Sequence, residues 1–140
     1  MSREITRHLT LSEVTDIARW AFGGRQPELR APGSLESAVH RPRARVFGVE
    51  AYQDVYEQAA ALLHAIATNH PFVDGNKRTA WLAAATFLAV NGVDLADVDQ
   101  DRAYDLVVAV ASGAIDEIHR TGGTGGSVTI AAVANVLRTL

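Results

Sequence analysis

Apolar residues recur at helical rather than strand spacing along most of the chain. Val14, Ile17, Ala18 and Ala21 share one face, so a helix is expected over residues 11–22. Thr10 followed by Glu13 is a capping-box pair for its start, and Gly23-Gly24 is its stop. Residues 25–33 hold two prolines and a glycine and read as a loop or short extended segment. Ser34 suits the cap of a short helix to about residue 39, and Pro42 keeps that helix from running on. A longer helix is expected over 51–69, with Val55, Ala59, Leu62 and Ile66 on one face and Tyr52, Tyr56 and Leu63 beside it. Pro71 ends it, because the residue before a proline avoids the helical region. The chain re-enters a helix near Asn76. Its stretch 80–90 is apolar almost all round, the pattern of a helix buried at the centre, and Asn91-Gly92 caps it. Residues 93–101 carry Asp94, Asp97, Asp99 and Asp101 and read as a solvated loop that brings negative charge to the start of a helix over 102–111. TGGTGGS at 121–127 is a flexible linker by composition, and a last helix is expected over 130–140. The fold class expected is all-α, one domain over residues 1–140, with about six helices around a central buried helix.

Composition narrows this picture. The chain has 140 residues, of which 24 are alanine and 6% aromatic, which favours helices. With 48% hydrophobic residues it is too apolar for a disordered chain. A net charge of −3 with 21% charged residues excludes both an acidic tail protein and a polycation that binds nucleic acid directly. The absence of cysteine excludes disulfide frameworks, thiolate zinc sites and cysteine nucleophiles. Residues 1–10 contain Arg3, Glu4, Arg7 and His8 and no apolar core of a secretory signal. The longest weakly polar run, 79–90, is well short of the roughly 20 residues a membrane span needs. No membrane partner is expected, and the expected location is the cytoplasm.

One stretch carries chemistry: His70-Pro71-Phe72-Val73-Asp74-Gly75-Asn76-Lys77-Arg78-Thr79-Ala80. A helix ends there, the chain turns on Asp-Gly, and a new helix begins. The start of that helix offers unpaired N–H groups and the positive end of the helix dipole, which suit an anion. Gly75 lets backbone approach a ligand, and Lys77 and Arg78 add two cations, so the segment reads as a phosphate cradle. His70 stands at the other lip, and imidazole can take a hydroxyl proton near neutral pH. Asp74 offers the hard carboxylate that, with phosphate oxygens and water, holds Mg2+. The P-loop pattern is absent, Phe72 breaks an EF-hand series, and His64 and His70 are too far apart for a zinc-binding HExxH face. From the residues alone, a capped loop with exposed charges remains an equal alternative.

HPFVDGNKR resembles the signature of the Fic/Doc superfamily, HxFx[D/E]GNGRxxR in the Fic branch and HxFxD[A/G]NKR in the Doc branch. The Gly-Gly after the first helix, LESAVHRPRA at 35–44, and the NG and VASG at 91–92 and 110–113 extend the resemblance to Doc ("death on curing") toxins over nearly the whole chain. Lys77 replaces the second glycine of the Fic anion hole, and Trp81 stands where Fic proteins have their final arginine. Thr68 occupies a place where many Doc-like chains carry arginine.

The resemblance implies a Fic-like bundle and a kinase that passes the γ-phosphoryl group of ATP to a hydroxyl of elongation factor Tu, arresting translation. It implies His70 as general base, Asp74 as Mg2+ ligand, Gly75 and Asn76 as anion hole through backbone amides and the Asn side chain, Lys77 and Arg78 as phosphate cations, and Phe72 as loop anchor. AMP transfer of the Fic type, and a catalytically silent antitoxin-binding corepressor, are the alternatives. Residues 25–33 take the place of the superfamily's target-docking flap, with Arg25 and Arg30 in a basic rim. No glutamate is followed by glycine or asparagine, so the inhibitory [S/T]xxxE[G/N] pattern is missing, and a separate Phd-like antitoxin is the expected partner.

Overall fold

The computed structural model describes residues 5–113 and 125–140, with the backbone alone for 125–128. Its described elements are six α-helices, one 3-10 turn and one minimal hairpin. Helix α1 spans Leu11–Ala21, and both halves of the capping box form: Thr10 Oγ1 accepts from the Glu13 N–H at 3.1 Å, and Glu13 Oε1 accepts from the Thr10 N–H at 3.0 Å. Helix α2 spans Pro32–His40. It starts two residues before the expected cap at Ser34, because proline with its preset φ and missing N–H serves as a first helical residue. It ends at His40, as the proline at 42 requires, and a 3-10 turn, Arg41–Arg43, follows.

The helix expected from residue 51 begins later. Strands β1 (Arg45–Val46) and β2 (Val49–Glu50) pair antiparallel, with Arg45 opposite Glu50 and Val46 opposite Val49, so the chain turns back before helix α3 (Val55–Asn69) starts. Asp54 caps α3, accepting from the Glu57 N–H at 2.8 Å. Helix α4 spans Asn76–Val90, and α5 spans Gln100–Ser112 with Asp99 as its cap. Helix α6 spans Gly125–Thr139, so Gly125, Gly126 and Ser127 are helical and the last helix starts five residues earlier than expected. Of the glycine-rich stretch, 121–124 lie outside the described residues.

The helix at the centre is α3, with α4 packed beside it. Helix α3 meets α2, the 3-10 turn, α4, α5 and α6, and buries Ala59, Ala60, Ala61, Ala65 and Ala67 together with Leu62, Leu63 and Ile66. Its five buried alanines present little bulk, so neighbours approach from every side. Helix α4 is packed on α1, α3 and α5 through Ala80, Ala83, Ala84, Phe87 and Leu88, but Ala89 and Val90 are exposed at its end, so the apolar stretch 80–90 is not enclosed all round. Helix α6 is tied down at its last turn: the Arg138 guanidinium binds Asp54 and lies over the Tyr56 ring at 5.4 Å, and Arg102 of α5 donates to the Thr139 carbonyl at 3.2 Å.

Candidate active site

The signature loop joins α3 to α4, the two most buried helices, and so stands on rigid supports. His70 ends α3 in the left-handed region (φ 48°, ψ 57°). For a residue with a Cβ this conformation is strained by about 1 kcal/mol or more, and such strain gathers at functional sites. Pro71 and Phe72 are buried, which fixes the base of the loop in the core. Asn76 then staples the loop shut: its Oδ1 accepts from the Phe72 N–H at 3.0 Å and its Nδ2 donates to the Phe72 carbonyl at 2.9 Å. The outer wall is the segment before α2. The Glu28 carbonyl accepts from the Val73 N–H at 3.0 Å, the Pro71 carbonyl accepts from the Arg30 N–H at 2.8 Å, and Leu29 forms an isolated antiparallel bridge with Phe72. The segment thus takes an extended course along the loop.

Gly75 is the N-cap of α4 with φ 76°. The first intrahelical bond of α4 runs from the Thr79 N–H to the Gly75 carbonyl at 3.0 Å, so the N–H groups of Asn76, Lys77 and Arg78 have no acceptor within the helix. They add to the positive end of the helix dipole. The Lys77 and Arg78 side chains are exposed, and Arg78 Nη1 donates to the Ala21 carbonyl at the end of α1 at 3.1 Å, which holds its guanidinium beside the cradle. Asp74 is exposed, with Oδ1 accepting from the Gly75 N–H at 2.8 Å.

These groups share one cavity of about 1210 Å³ between the end of α1, the loop, the start of α4 and the face of α5. His70, Asp74, Gly75, Asn76, Lys77 and Arg78 all line it. Phe72 lies beneath it, fully buried. Arg25 also lines it, its Nε donating to the Phe22 carbonyl at 3.3 Å, whereas Arg30 does not; its backbone belongs to the wall. The anion hole differs from the expected one: the Asn76 side chain is committed to Phe72 and the Gly75 N–H to Asp74 Oδ1, so toward an anion Asn76 offers its backbone N–H, with those of Lys77 and Arg78.

Trp20, Phe22, Gln100 and Tyr104 line the cavity too, though no motif in the sequence points to them. Trp20 is 75% and Tyr104 67% exposed. No periodicity marks them, because they come from two helices distant in sequence and meet only across the cleft. Trp81, which departs from the Fic pattern, is on the cavity wall.

Among the described residues no cluster of three or more His, Asp or Glu side chains could hold a metal by itself. Asp74 supplies one carboxylate beside the cradle, and one carboxylate plus substrate phosphates is how Mg2+ is commonly bound. The donor set therefore fits a metal carried in by a nucleotide. Chemically, a histidine, one carboxylate and a helix start flanked by two cations are groups able to take a proton and to hold an anion.

A family model, Fic/DOC family, matches residues 8–88, and the chain belongs to that family. Within it the chain is of the Doc type. It is 51% identical over 109 residues to Toxin Doc of Mycolicibacterium smegmatis, an alignment covering 77% of this chain and 83% of that protein. It is also 34% identical over 139 residues to Protein kinase doc of Escherichia phage P1, covering 96% of this chain and 95% of that protein. Among the described residues no helix is long and apolar enough to cross a membrane.

Proposed function

We propose that this chain is a Doc-type toxin that acts in the cytoplasm as a protein kinase, passing the γ-phosphoryl group of ATP to a hydroxyl of a translation protein, elongation factor Tu. The observation that carries the reading is the convergence of His70, Asp74 and the start of α4 on one cavity. The likeness to a protein named as a kinase over almost the full length of both chains supports it.

The chemistry follows from the groups. His70 takes the proton of the target hydroxyl. The freed oxygen attacks the γ-phosphorus, and the bond from that phosphorus to the β–γ bridging oxygen breaks, leaving ADP. Phosphoryl transfer asks little covalent help from the protein, and most of the task is positioning and charge. The N–H groups of Asn76, Lys77 and Arg78 and the two side-chain cations hold the phosphate oxygens. Mg2+, bound through Asp74 and the phosphates, would neutralise the remaining charge. Lys77 fills the place of the glycine that Fic proteins use, and the Trp81 ring that of their final arginine; both favour phosphoryl over AMP transfer.

A Phd-like antitoxin is the proposed partner. The exposed rings of Trp20 and Tyr104 beside Arg25, Lys77 and Arg78 suit a segment that is apolar on one side and acidic on the other. Incubation with Mg2+, elongation factor Tu and ATP labelled at either phosphorus tests the reading. Label from γ-ATP alone is expected. Label from α-ATP means AMP transfer, and label from neither, with antitoxin still bound, means a silent corepressor.

A further inference from the structure

Gly75 is covered by an aromatic ring from another element. A Cβ built on it would stand 2.6 Å from Cζ of Phe22, 2.9 Å from Cε2 and 3.3 Å from Cε1. All three distances run to the far edge of the ring, so Phe22 meets the loop end-on. Residue 22 caps α1, with its N–H held by the Ala18 carbonyl at 3.0 Å. The same ring packs on Phe72, with centroids 6.4 Å apart and planes tilted by 60°. Phe72 is the residue whose backbone Asn76 clamps from both sides. One half-buried ring therefore touches the base of the loop and also its last residue before α4. The backbone on both sides of it is anchored: Arg78 donates to the Ala21 carbonyl and Arg25 to the Phe22 carbonyl.

We propose that Phe22 is the positioning residue of the phosphate cradle: its ring edge sets where Gly75, and with it the first N–H groups of α4, stand, and it adds a steric demand for glycine at 75 to the one its φ of 76° already makes. The inference rests on the reading of residues 70–78 as a cradle for nucleotide phosphates. A phenyl ring has no acid, base or donor, so Phe22 acts only through the loop it holds. Its reach is short and stiff, because a ring packed both on the Phe72 ring and against the Gly75 backbone cannot shift away from one without disturbing the other. Any tilt of the last turn of α1 is thereby passed to the anion-binding amides at the start of α4.

The test is a double-mutant cycle in the full chain, read as kcat and KM for transfer from γ-labelled ATP. Phe22→Leu withdraws the ring edge but keeps an apolar group over Phe72. It is expected to lower kcat with a smaller change in the KM for ATP. Gly75→Ala is expected to cost activity strongly in the parent. In the Phe22→Leu background its methyl has room, and although the strain of alanine at φ 76° stays, the loss should shrink by about tenfold. An equal loss in both backgrounds overturns the proposal. Phe22→Tyr adds an oxygen to the ring atom closest to Gly75; undiminished activity in that variant also overturns it.

A second measurement needs no transfer at all. Hydrogen exchange at the Phe72 amide, which is held by the Asn76 side chain, should quicken in Phe22→Leu while overall helicity by circular dichroism stays unchanged. Unaltered exchange counts against the proposal. An unmodified chain that transfers nothing would instead count against the kinase reading, and the exchange measurement would still decide this one.

Discussion

Asn76 and His70 divide the work of the signature loop. The Asn76 side chain closes the loop on Phe72 through two hydrogen bonds, while the His70 ring is left exposed on a strained backbone. Asn76→Ala leaves the N–H of buried Phe72 without its acceptor and is expected to cost about 1–3 kcal/mol in denaturant unfolding. Transfer should fall with it, since the start of α4 loses its anchor. His70→Gly separates the two roles. Glycine adopts a φ of 48° without strain, so the variant is expected to gain about 1 kcal/mol of stability while transfer falls by about 10²–10⁴-fold. Loss of stability with activity retained would show that His70 is a structural cap and not the base.

Caps connect elements as well as start them. Thr10→Ala removes one half of the capping box of α1 and is expected to cost about 1 kcal/mol, measured as a shift in the chemical unfolding midpoint. Asp54 caps α3 and also binds Arg138 of α6, so Asp54→Ala should cost at least as much and also loosen α6, seen as faster hydrogen exchange in that helix. Both acids have lowered pKa values. For Glu13 the causes are the Thr10 backbone hydrogen bond and Arg7. For Asp54, burial works to raise the pKa, and the Glu57 N–H with Arg138 outweighs it. The sign follows. A carboxylate whose folded pKa is depressed stabilises the fold above its unfolded pKa, and that support is lost as pH falls through the folded value. Glu57 opposes the trend: burial and its neighbour Asp54 raise its pKa, so it disfavours the fold only once ionised. The unfolding temperature is expected to fall below about pH 4, and less steeply in Asp54→Asn. Thermal melts across that range would check it.

At the scale of the molecule, charge is distributed unevenly. The chain carries −3 overall, yet Arg25, Lys77 and Arg78 face the cavity against Asp74. Screening shortens the reach of exposed cations to about 3 Å at 1 M salt, so the KM for ATP should rise several-fold between low and high salt. A flat salt response would mean that the nucleotide is held by other means. Helix packing sets the cavity itself, because its walls come from the end of α1, the signature loop, α4 and α5.

Much of this protein can be read along the chain because its determinants are local. Thr10 with Glu13, Pro71, and Asn91-Gly92 act on their own neighbours, and HPFVDGNKR brings histidine, carboxylate and cations together within one loop. Nearby misreadings have local causes of another kind. Pro32 can start a helix as readily as end a loop, and the short hairpin at 45–50 is too brief to show an alternating pattern. Tertiary structure alone decided the rest. It made α3 the centre, since burial depends on which neighbours close in on a helix and not on its own apolarity. It gave the Asn76 side chain to Phe72 and brought Trp20 and Tyr104 to the cleft. Above all, it set the Phe22 ring against Gly75, a contact across 53 residues of sequence that no local pattern specifies.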